Sequence, residues 1–460
     1  MVIQYLRTLA KLRLQKHELK NIALMALGSM LEFYDLIIFS FMGFYLIRHI
    51  YNQQIFSHGK MLYLFSIFII GYFARPFGMY IYNHFAIKLR IKWIQTINML
   101  LLVCANLILA FASNNHFAWF TLSISLVILA RIAQGLSGGI EMQAAFHYLS
   151  SRLKTQNINF AILGILAGYE IGQLLAILVN RLLHISFTSR QISEFGWRFS
   201  FLFGAVLTLV IYIIRCKYAE NISKNREVNP TVLPAYKLFT YYPRQTLIAC
   251  ILSGMKGCTT FIYLVYIPFT LYQILKLAPA QISHYIMLSN LISLIFTFWL
   301  NKKINYRNLH LITAICCIAL VPVAVFWVWA FTYHNFILIA IIPIAILPSM
   351  FTILVPRIIS GLYPIDVRLY GVTFSYHSGF IIFAGIIPII TMALGFLVRA
   401  IFTIPDQTIL SYIGNFIYLT GLSAFALYAL IASKQLINYQ DMYRMQLKIN
   451  KTLTHKKGII

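Results

Sequence analysis

The chain has 460 residues, of which 60% are hydrophobic and only 10% are charged, whereas an ordinary soluble domain is roughly 45–50% apolar and about 25% charged. This composition excludes a water-soluble domain and predicts a protein embedded in a lipid bilayer. The formal net charge of +26 comes from 37 Lys and Arg against 11 Asp and Glu. Long apolar runs separate these cations, so a nucleic-acid-binding protein with a soluble core and one basic face is excluded as well.

Apolar windows long enough to cross about 30 Å of hydrocarbon follow one another along the chain. The first window follows five basic residues and is too long for a signal-peptide core, so we expect the first helix to stay in the membrane. Twelve windows are predicted, near 21–47, 61–83, 93–112, 118–143, 158–182, 198–216, 245–272, 281–300, 309–332, 335–356, 371–396 and 408–433.

The distribution of basic residues predicts the orientation of these helices. With the N-terminus in the cytoplasm, 27 of the Lys and Arg lie in cytoplasmic segments, seven lie outside and three lie within helices. This bias follows the positive-inside rule and predicts that both termini are cytoplasmic. The basic loops then require no anionic partner beyond the lipid headgroups.

The longest polar interval divides the chain into six helices plus six. We therefore predict an all-α membrane protein of two pseudo-symmetric six-helix bundles, with a basic turn after the second helix of each half. Such a parallel internal repeat indicates a transporter whose substrate site lies between the halves near the membrane midplane. The predicted domains are a bundle at 1–216, a cytoplasmic linker at 217–244, a second bundle at 245–433 and a basic cytoplasmic tail at 434–460.

Ionisable residues inside the predicted helices are functional candidates, because a charge at the bilayer centre costs ~2.5–3.5 kcal/mol. Glu32 and Asp35 are three residues apart on one face of the first helix, and two close carboxylates favour retaining a proton. That property suits proton coupling. The alternative is that each carboxylate pairs with a cation or polar neighbour and only fixes helix packing. The full set is Glu32, Asp35, Arg75, Arg131, Glu141, Glu170 and Lys256.

The fourth predicted helix carries a polar stripe. Arg131, Gln134, Gly138, Glu141 and Ala145 fall within about 80° of one another at 100° per residue. Because such a stripe would be prohibitive against lipid, it faces a cavity or another helix. A structural Arg and Glu network and a part in substrate or proton binding both remain open, and Glu141 joins the proton-coupling candidates.

The fifth predicted helix has two different faces. Gly164, Gly168 and Gly172 repeat every four residues, which is typical of close helix packing. Glu170 and Gln173 lie three residues apart on another face and are predicted to line a cavity.

Three further candidates come from the second half and from the first helix. Lys256 could neutralise a substrate carboxylate, pair with Asp35, or extend to the membrane boundary. Tyr34 and Tyr376 could contact a quaternary ammonium through their ring faces. His377 follows Tyr376 and could titrate near neutral pH.

These residues resemble the metabolite:proton symporter group of the major facilitator superfamily, which includes proline/betaine, shikimate, α-ketoglutarate and citrate carriers. The likeness covers nearly the whole chain. It implies proton-coupled uptake of a small polar metabolite, with Asp35, Arg75, Arg131 and Glu141 lining the pathway or controlling its gating. Five segments carry it in order: GSMLEFYDLIIFSF at 28–41, GYFARPFGMYIYNH at 71–84, RIAQGLSGGIEMQAA at 131–145, GWR at 196–198 and LYPIDVRLYGVTFSYHSGFIIFAGIIP at 362–388.

One loop departs from the resemblance. The superfamily pattern G-x-x-x-D-R-x-G-R-[RK] is written here as NHFAIKLRIK at 83–92, with Ile87 in place of the acid. In the family this acid helps to hold a gate on the inner side. We therefore expect altered gating by this loop, whose basic residues are Lys88, Arg90 and Lys92.

The predicted function is secondary active transport by alternating access in a bacterial inner (cytoplasmic) membrane. We expect a monomer whose partners are a small substrate, protons and the bilayer, with no cofactor, no metal and no enzymatic activity. A zwitterion such as proline or betaine is the favoured substrate and a small carboxylate is next. An uncoupled facilitator or exchanger and a transport-inactive metabolite sensor remain alternatives on the same fold.

Overall fold

The computed structural model describes the apolar helices and the short connections between them. The predicted loop residues Lys88 and Arg90 lie outside the described residues, and the side chain of Lys92 is not described either. The described residues are 16–50, 60–86, 91–112, 117–152, 158–219, 235–273, 275–301, 304, 308–332, 336–387, 390, 391, 393, 394, 397 and 407–436.

Within the described residues, the predicted apolar windows lie on helical backbone, because a backbone without access to water must satisfy its hydrogen bonds within its own segment. The first six long helices are α1 (Lys16–Ile50), α2 (Lys60–Ala86), α3 (Ile91–Phe111), α4 (Phe117–Arg152), α5 (Ile158–Ser186) and α6 (Trp197–Ala219). The next six are α7 (Pro243–Phe261), α8 (Pro279–Asn301), α9 (Leu309–Thr332), α10 (Ile337–Leu362), α11 (Ile365–Gly379) and α12 (Gln407–Leu436). A short helix, Ala235–Tyr241, precedes α7.

Three helices contain or adjoin a wider π-helical turn. Ile192–Gly196 leads into α6, Ile262–Tyr266 continues α7 toward a last turn at Ile267–Gln273, and Phe380–Gly385 continues α11. Such turns release backbone groups from the regular ladder and occur often at functional sites. α7 packs against α11 and against the π-helical turn that continues α11.

Nine helices in the described part of the chain are long and apolar enough to cross a membrane. They are α1, α3, α4, α5, α6, α7, α9, α10 and α12. Several helices extend beyond their predicted windows. For example, α4 ends at Arg152, whereas its window ends at 143. Apolarity limits a window to the hydrocarbon, whereas a helix continues into the polar interface.

Most helix contacts lie within the first six helices or within the last six. α1 packs on α5, α2 packs on α4, and α3 packs on α4 and α6. In the second set, α7 packs on α10, α11 and α12, and α9 packs on α10 and α12. The two sets meet where α5 packs on α8 and where α2 and α4 pack on α11.

The glycine spacing of α5 serves packing, as its period predicts. A Cβ atom on Gly168 would overlap the backbone carbonyl of Ala26, and one on Gly172 would overlap the carbonyl of Met30. The two helix backbones therefore approach to a distance that only glycine permits. This close contact sets the position of α1, which carries Glu32 and Asp35.

Candidate functional site

The two carboxylates of α1 have separate partners. The Oε1 atom of Glu32 lies 2.6 Å from an Nη atom of Arg75 on α2, and both side chains are buried. The contact is an ion pair by distance and is not aligned as a hydrogen bond. The attraction between the two charges offsets part of the desolvation free energy that burial of each charge costs. Glu32 thus has a cationic neighbour, which is one part of the alternative in which the carboxylates only fix helix packing.

Asp35 ends a chain of hydrogen bonds that joins α1, α3 and α4. Asn106 of α3 donates to Oδ1 of Asp35 at 3.0 Å, and Gln134 of α4 donates to the amide oxygen of Asn106 at 2.8 Å. Arg131 donates to the amide oxygen of Gln134 at 2.7 Å. The chain joins the guanidinium of α4 to the carboxyl group of α1 through two amides, so the charge states of the two ends are electrostatically linked.

Two aromatic rings surround the guanidinium of Arg131. Its central carbon lies 3.9 Å from the ring centroid of Phe39 and 5.6 Å from that of Phe68. A cation over an aromatic face is stabilised even without water, and the effect grows when both groups are desolvated. This environment allows α4 to carry a cation that is only 2% exposed.

Glu141 is bound by a cation that the sequence interpretation placed elsewhere. Arg215 of α6 donates to Oε1 of Glu141 at 2.5 Å and to Oε2 at 3.1 Å. The same guanidinium donates twice to the backbone carbonyl of Leu24, at 3.0 and 3.1 Å. Arg215 is one of the 27 basic residues that the sequence assigns to cytoplasmic segments, and that assignment is wrong because its side chain is buried inside the bundle. The ion pair joins α1, α4 and α6.

Lys256 of α7 is buried between the two sets of helices and does not extend to a membrane boundary. Its ammonium nitrogen lies 4.8 Å from the ring centroid of Phe380 and 5.1 Å from that of Phe33. Tyr376 presents a third ring at 5.5 Å. The carboxylates that interact electrostatically with Lys256 are those of Glu170 and Glu32, and not that of Asp35 as the sequence also suggested.

Glu170 brings an acidic group of α5 to the same region. The hydroxyl of Ser349 on α10 donates to Oε1 of Glu170 at 3.4 Å, and Ser349 also accepts a hydrogen bond from Ser293 of α8 at 2.6 Å. Gln173, one turn further along α5, is buried. Glu32, Arg75, Glu170 and Lys256 thus form one group of two acids and two cations, which we call the interface cluster.

The remaining residues predicted from the sequence, Tyr34, Tyr376 and His377, lie in two different places. Tyr376 and His377 lie buried on α11 beside the interface cluster. Neither the Tyr376 hydroxyl nor either ring nitrogen of His377 has a hydrogen-bond partner among the described residues. Tyr34 points away from the cluster, because its hydroxyl donates to the carbonyl of Ser200 at 2.7 Å and its ring packs on Phe203.

A small polar cavity lies inside the first six helices, between α1, α2, α3 and α4. Its lining includes Asp35, Arg131 and Gln134 at one level and Asn98 and Glu141 at another. Within the part of the chain that the structure describes, no three His, Cys, Asp or Glu side chains are arranged to hold a metal ion. The polar groups that line the cavity are carboxylates, guanidinium groups and amides.

Two residues of this site were missed from the sequence. Asn106 stands alone in the apolar run of α3 and could have been found as a costly intramembrane amide. Arg215 stands at the end of an apolar window, where a residue could belong either to the helix or to the following loop. No sequence signal distinguished these two positions, because the partner of Arg215 lies 74 residues away.

Several known proteins are similar to this chain in sequence. The citrate-proton symporter of Salmonella typhi is 22% identical over 80% of this chain and 85% of its own length. The alpha-ketoglutarate permease of Escherichia coli strain K12 is 28% identical over 42% of this chain and 44% of its own length. A protein of Staphylococcus haemolyticus named as a proline/betaine transporter is 23% identical over 56% of each chain.

Solved structures share the fold. A D-xylose-proton symporter matches with a TM-score of 0.69 and 14% identity, covering 91% of this chain and 98% of the other. The xylose transporter from E. coli, in a partially occluded inward open conformation, matches with a TM-score of 0.67 and 14% identity over 89% of this chain and 97% of the other. The family model of the Major Facilitator Superfamily matches residues 25–367. This chain belongs to the Major Facilitator Superfamily.

Proposed function

We propose that this chain is a proton symporter that takes up a small polar metabolite across a bacterial inner membrane by alternating access. It works as a monomer with twelve spans and both termini in the cytoplasm, an orientation supported by the excess of basic residues in the segments that it places on the inner side. Relatives named as proton symporters support the coupling. The six-plus-six division at 217–244 and the tail at 434–460 are parts of the same proposal.

The observation that carries this proposal is the separation of the buried charges into two groups. One is the chain from Asp35 through Asn106 and Gln134 to Arg131, inside the first six helices. The other is the interface cluster, where residues of both sets of helices meet. A transporter needs a group that gains and loses a proton and a site that both halves share, and the two groups suit these two tasks.

Asp35 is the proposed proton site. Its Oδ1 atom accepts from Asn106, whereas Oδ2 has no hydrogen-bond partner within the described residues. A carboxylate in this position is stabilised by Arg131 through two amides, and a protonated carboxyl group releases that interaction. Protonation thus changes the relative stability of the arrangements of α1, α3 and α4, which is how a bound proton shifts a conformational equilibrium.

The interface cluster is the proposed substrate site. Lys256 and Arg75 would hold a carboxylate, and Glu170 and Glu32 would hold an ammonium group, through charge-assisted hydrogen bonds. Two acids and two cations suit a zwitterion, so an amino acid such as proline is the favoured substrate. The rings of Phe33, Tyr376 and Phe380 already face the Lys256 ammonium.

A small carboxylate is the second candidate substrate. Because the Lys256 ammonium already lies over three ring faces, a quaternary ammonium such as that of betaine would compete with it for the same surfaces. Lys256 and Arg75 remain able to bind a carboxylate without that competition.

An uncoupled facilitator is the second candidate function, favoured by one contact. The Glu32 and Arg75 ion pair compensates both charges within the protein, as a purely structural pair would. A transport-inactive metabolite sensor would keep the substrate site and lose the flux. Loss of the acid at Ile87 in the loop at 83–92 is the sequence feature that both alternatives explain.

Uptake by the purified full-length chain in proteoliposomes tests the proposal. Radiolabelled proline, betaine and α-ketoglutarate are offered with and without an inward proton gradient to the native chain, Asp35→Asn and Lys256→Met. Glu194→Gln is the matched control, because Glu194 is an exposed acid paired with Arg190 on the surface.

The native chain is expected to take up one of these compounds faster with the gradient. Asp35→Asn loses that stimulation and keeps substrate exchange, Lys256→Met loses both, and Glu194→Gln behaves as the native chain does. Uptake that is indifferent to the gradient in the native chain contradicts proton coupling and leaves the facilitator. Binding of a substrate without any flux leaves the sensor.

A further inference from the structure

Two tyrosine hydroxyls lie beside the interface cluster, one from each set of six helices. Tyr169 belongs to α5 and Tyr376 to α11, and these residues are only 1% and 2% exposed. Neither hydroxyl has a hydrogen-bond partner among the described residues. A buried polar group without a partner is unfavourable, and almost all such groups in folded proteins are paired. The two hydroxyls therefore point to a partner that binds from outside the chain.

The neighbours of these hydroxyls are the charged groups of the interface cluster. Tyr169 interacts electrostatically with Glu32, Tyr376 and Arg75. Tyr376 interacts in the same way with Glu32, Arg75 and Glu170. Both hydroxyls thus belong to the proposed substrate site, close to its ion pair.

Ring contacts hold the two tyrosines in this position. The ring centroid of Tyr169 lies 4.2 Å from that of Phe33, and the ring centroid of Tyr376 lies 4.9 Å from that of Phe380. Phe33 and Phe380 are two of the rings that face the ammonium group of Lys256. The same aromatic side chains therefore position the cation and the two hydroxyls.

Unpaired atoms of the charged groups accompany the unpaired hydroxyls. Oε2 of Glu32 and Oε2 of Glu170 accept no hydrogen bond from the described residues, and Nε of Arg75 donates none. A substrate carboxylate can only accept hydrogen bonds and an ammonium group can only donate them, whereas a hydroxyl group does both. A hydroxyl placed between a tyrosine and one of these carboxylates therefore satisfies both of them at once.

We infer that the substrate of this chain carries a hydroxyl group in addition to its charged groups, and that Tyr169 and Tyr376 select for it. This inference rests on the proposed substrate site and names a hydroxylated amino acid as the favoured substrate class, with a hydroxy acid next. The substrate hydroxyl accepts a hydrogen bond from each tyrosine and donates one to Oε2 of Glu32 or Glu170. Because the tyrosines belong to different sets of helices, this hydroxyl also joins the two sets around the bound substrate.

The expected selectivity follows from the groups that a simpler substrate leaves unpaired. An analogue without the hydroxyl leaves a tyrosine hydroxyl and a carboxylate oxygen buried without partners. A site built to hydrogen-bond a hydroxyl rejects such an analogue strongly. One hydrogen bond corresponds to about tenfold in affinity, so the hydroxylated compound should bind about tenfold more tightly than its parent.

Equilibrium binding to the purified full-length chain tests this selectivity. The probes are radiolabelled compounds that differ by one hydroxyl group: proline with the hydroxyproline isomers, and succinate with malate. The native chain should bind a hydroxylated compound about tenfold more tightly than its parent. Tyr169→Phe and Tyr376→Phe should each reduce this ratio toward one and leave the affinity for the parent compound unchanged.

Tyr363→Phe is the matched control. Tyr363 is also buried, but its hydroxyl has partners in the protein, since it lies 2.7 Å from the hydroxyl of Ser375 and donates to that of Thr246 at 3.3 Å. Its substitution should leave the ratio of affinities as it is in the native chain. A purely structural effect of a lost hydroxyl would change the affinities for parent and derivative together, so the ratio isolates recognition of the substrate hydroxyl.

The outcomes separate this inference from the proposed function. Equal binding of a parent compound and its hydroxylated derivatives by the native chain overturns the inference, and so does a ratio that survives in both Tyr169→Phe and Tyr376→Phe. An equal fall of the ratio in Tyr363→Phe overturns it as well.

Uptake of the selected compound by proteoliposomes then tests the coupling. Selective binding with uptake that ignores the proton gradient overturns the proposed coupling and leaves the selectivity standing. Binding of none of the probes overturns the proposed substrate site, and the inference with it.

Discussion

Replacing Arg215 by methionine should destabilise the first six helices strongly. The guanidinium makes two hydrogen bonds to Glu141 and two to the carbonyl of Leu24. In Arg215→Met the Glu141 carboxylate stays buried beside an apolar chain of similar length. Breaking a buried pair by removing one partner costs about 3–5 kcal/mol, and this is the loss of stability expected of Arg215→Met.

The double variant separates the charge from the packing. Arg215→Met combined with Glu141→Leu removes both charges, and replacing a whole buried pair by apolar residues is often neutral or stabilising. We expect the double variant to recover most of the stability that the single variant loses. The coupling between the two sites is then read from a double-mutant cycle.

Thermal unfolding of the purified chain in detergent, followed by intrinsic fluorescence, measures these differences. Lys217→Met is the matched control, since Lys217 lies two residues further along α6 and is exposed. The control should unfold as the native chain does. If Arg215→Met were as stable as Lys217→Met, the ion pair would contribute nothing measurable and the reasoning from burial would be refuted.

Two further predictions follow from contacts between helices. In Gly172→Ala the new methyl group overlaps the backbone carbonyl of Met30, so overpacking should destabilise the fold by about 1–3 kcal/mol and lower the yield of folded protein. Gly421→Ala is the control, because no neighbouring atom lies within 4 Å of the added Cβ, and its yield should match that of the native chain. Equal yields of the two variants would contradict the close approach of α1 and α5. Asn180 of α5 donates to Ser283 of α8 at 2.6 Å. The double variant Asn180→Cys and Ser283→Cys, in a background without the six native cysteines, should be cross-linked by a short, reducible thiol reagent. The cross-linked chain should lose uptake and regain it after reduction. A cross-linked chain that still transports would show that these ends need not separate.

Several features of the site could be predicted from single helices. The polar stripe of α4 follows from the helical period, and Arg131, Gln134 and Glu141 do line one cavity. The glycine period of α5 likewise predicts its close approach to α1. Each of these features depends on residues within one helix, whose geometry is regular.

The partners of these residues could not be predicted in the same way. The sequence leaves three possibilities for Lys256: a boundary position, a pairing with Asp35 or a substrate contact. In the structure its ammonium group lies over three aromatic rings and interacts electrostatically with Glu170 and Glu32. Tyr34 was grouped with Tyr376, yet it bonds to Ser200 of α6. In both cases the direction of the side chain depends on how neighbouring helices pack.

By itself, the sequence determined that the chain is a membrane protein of long helices and which faces of those helices are polar. Hydropathy and helical period are local properties, and the apolar interior of a bilayer enforces both. Only the tertiary structure decided which charges meet. Asp35 and Asn106 are 71 residues apart, and Glu170 and Ser349 are 179 residues apart. A buried charge needs a partner, but any helix that packs against it can supply one, so the choice depends on the packing of the whole bundle.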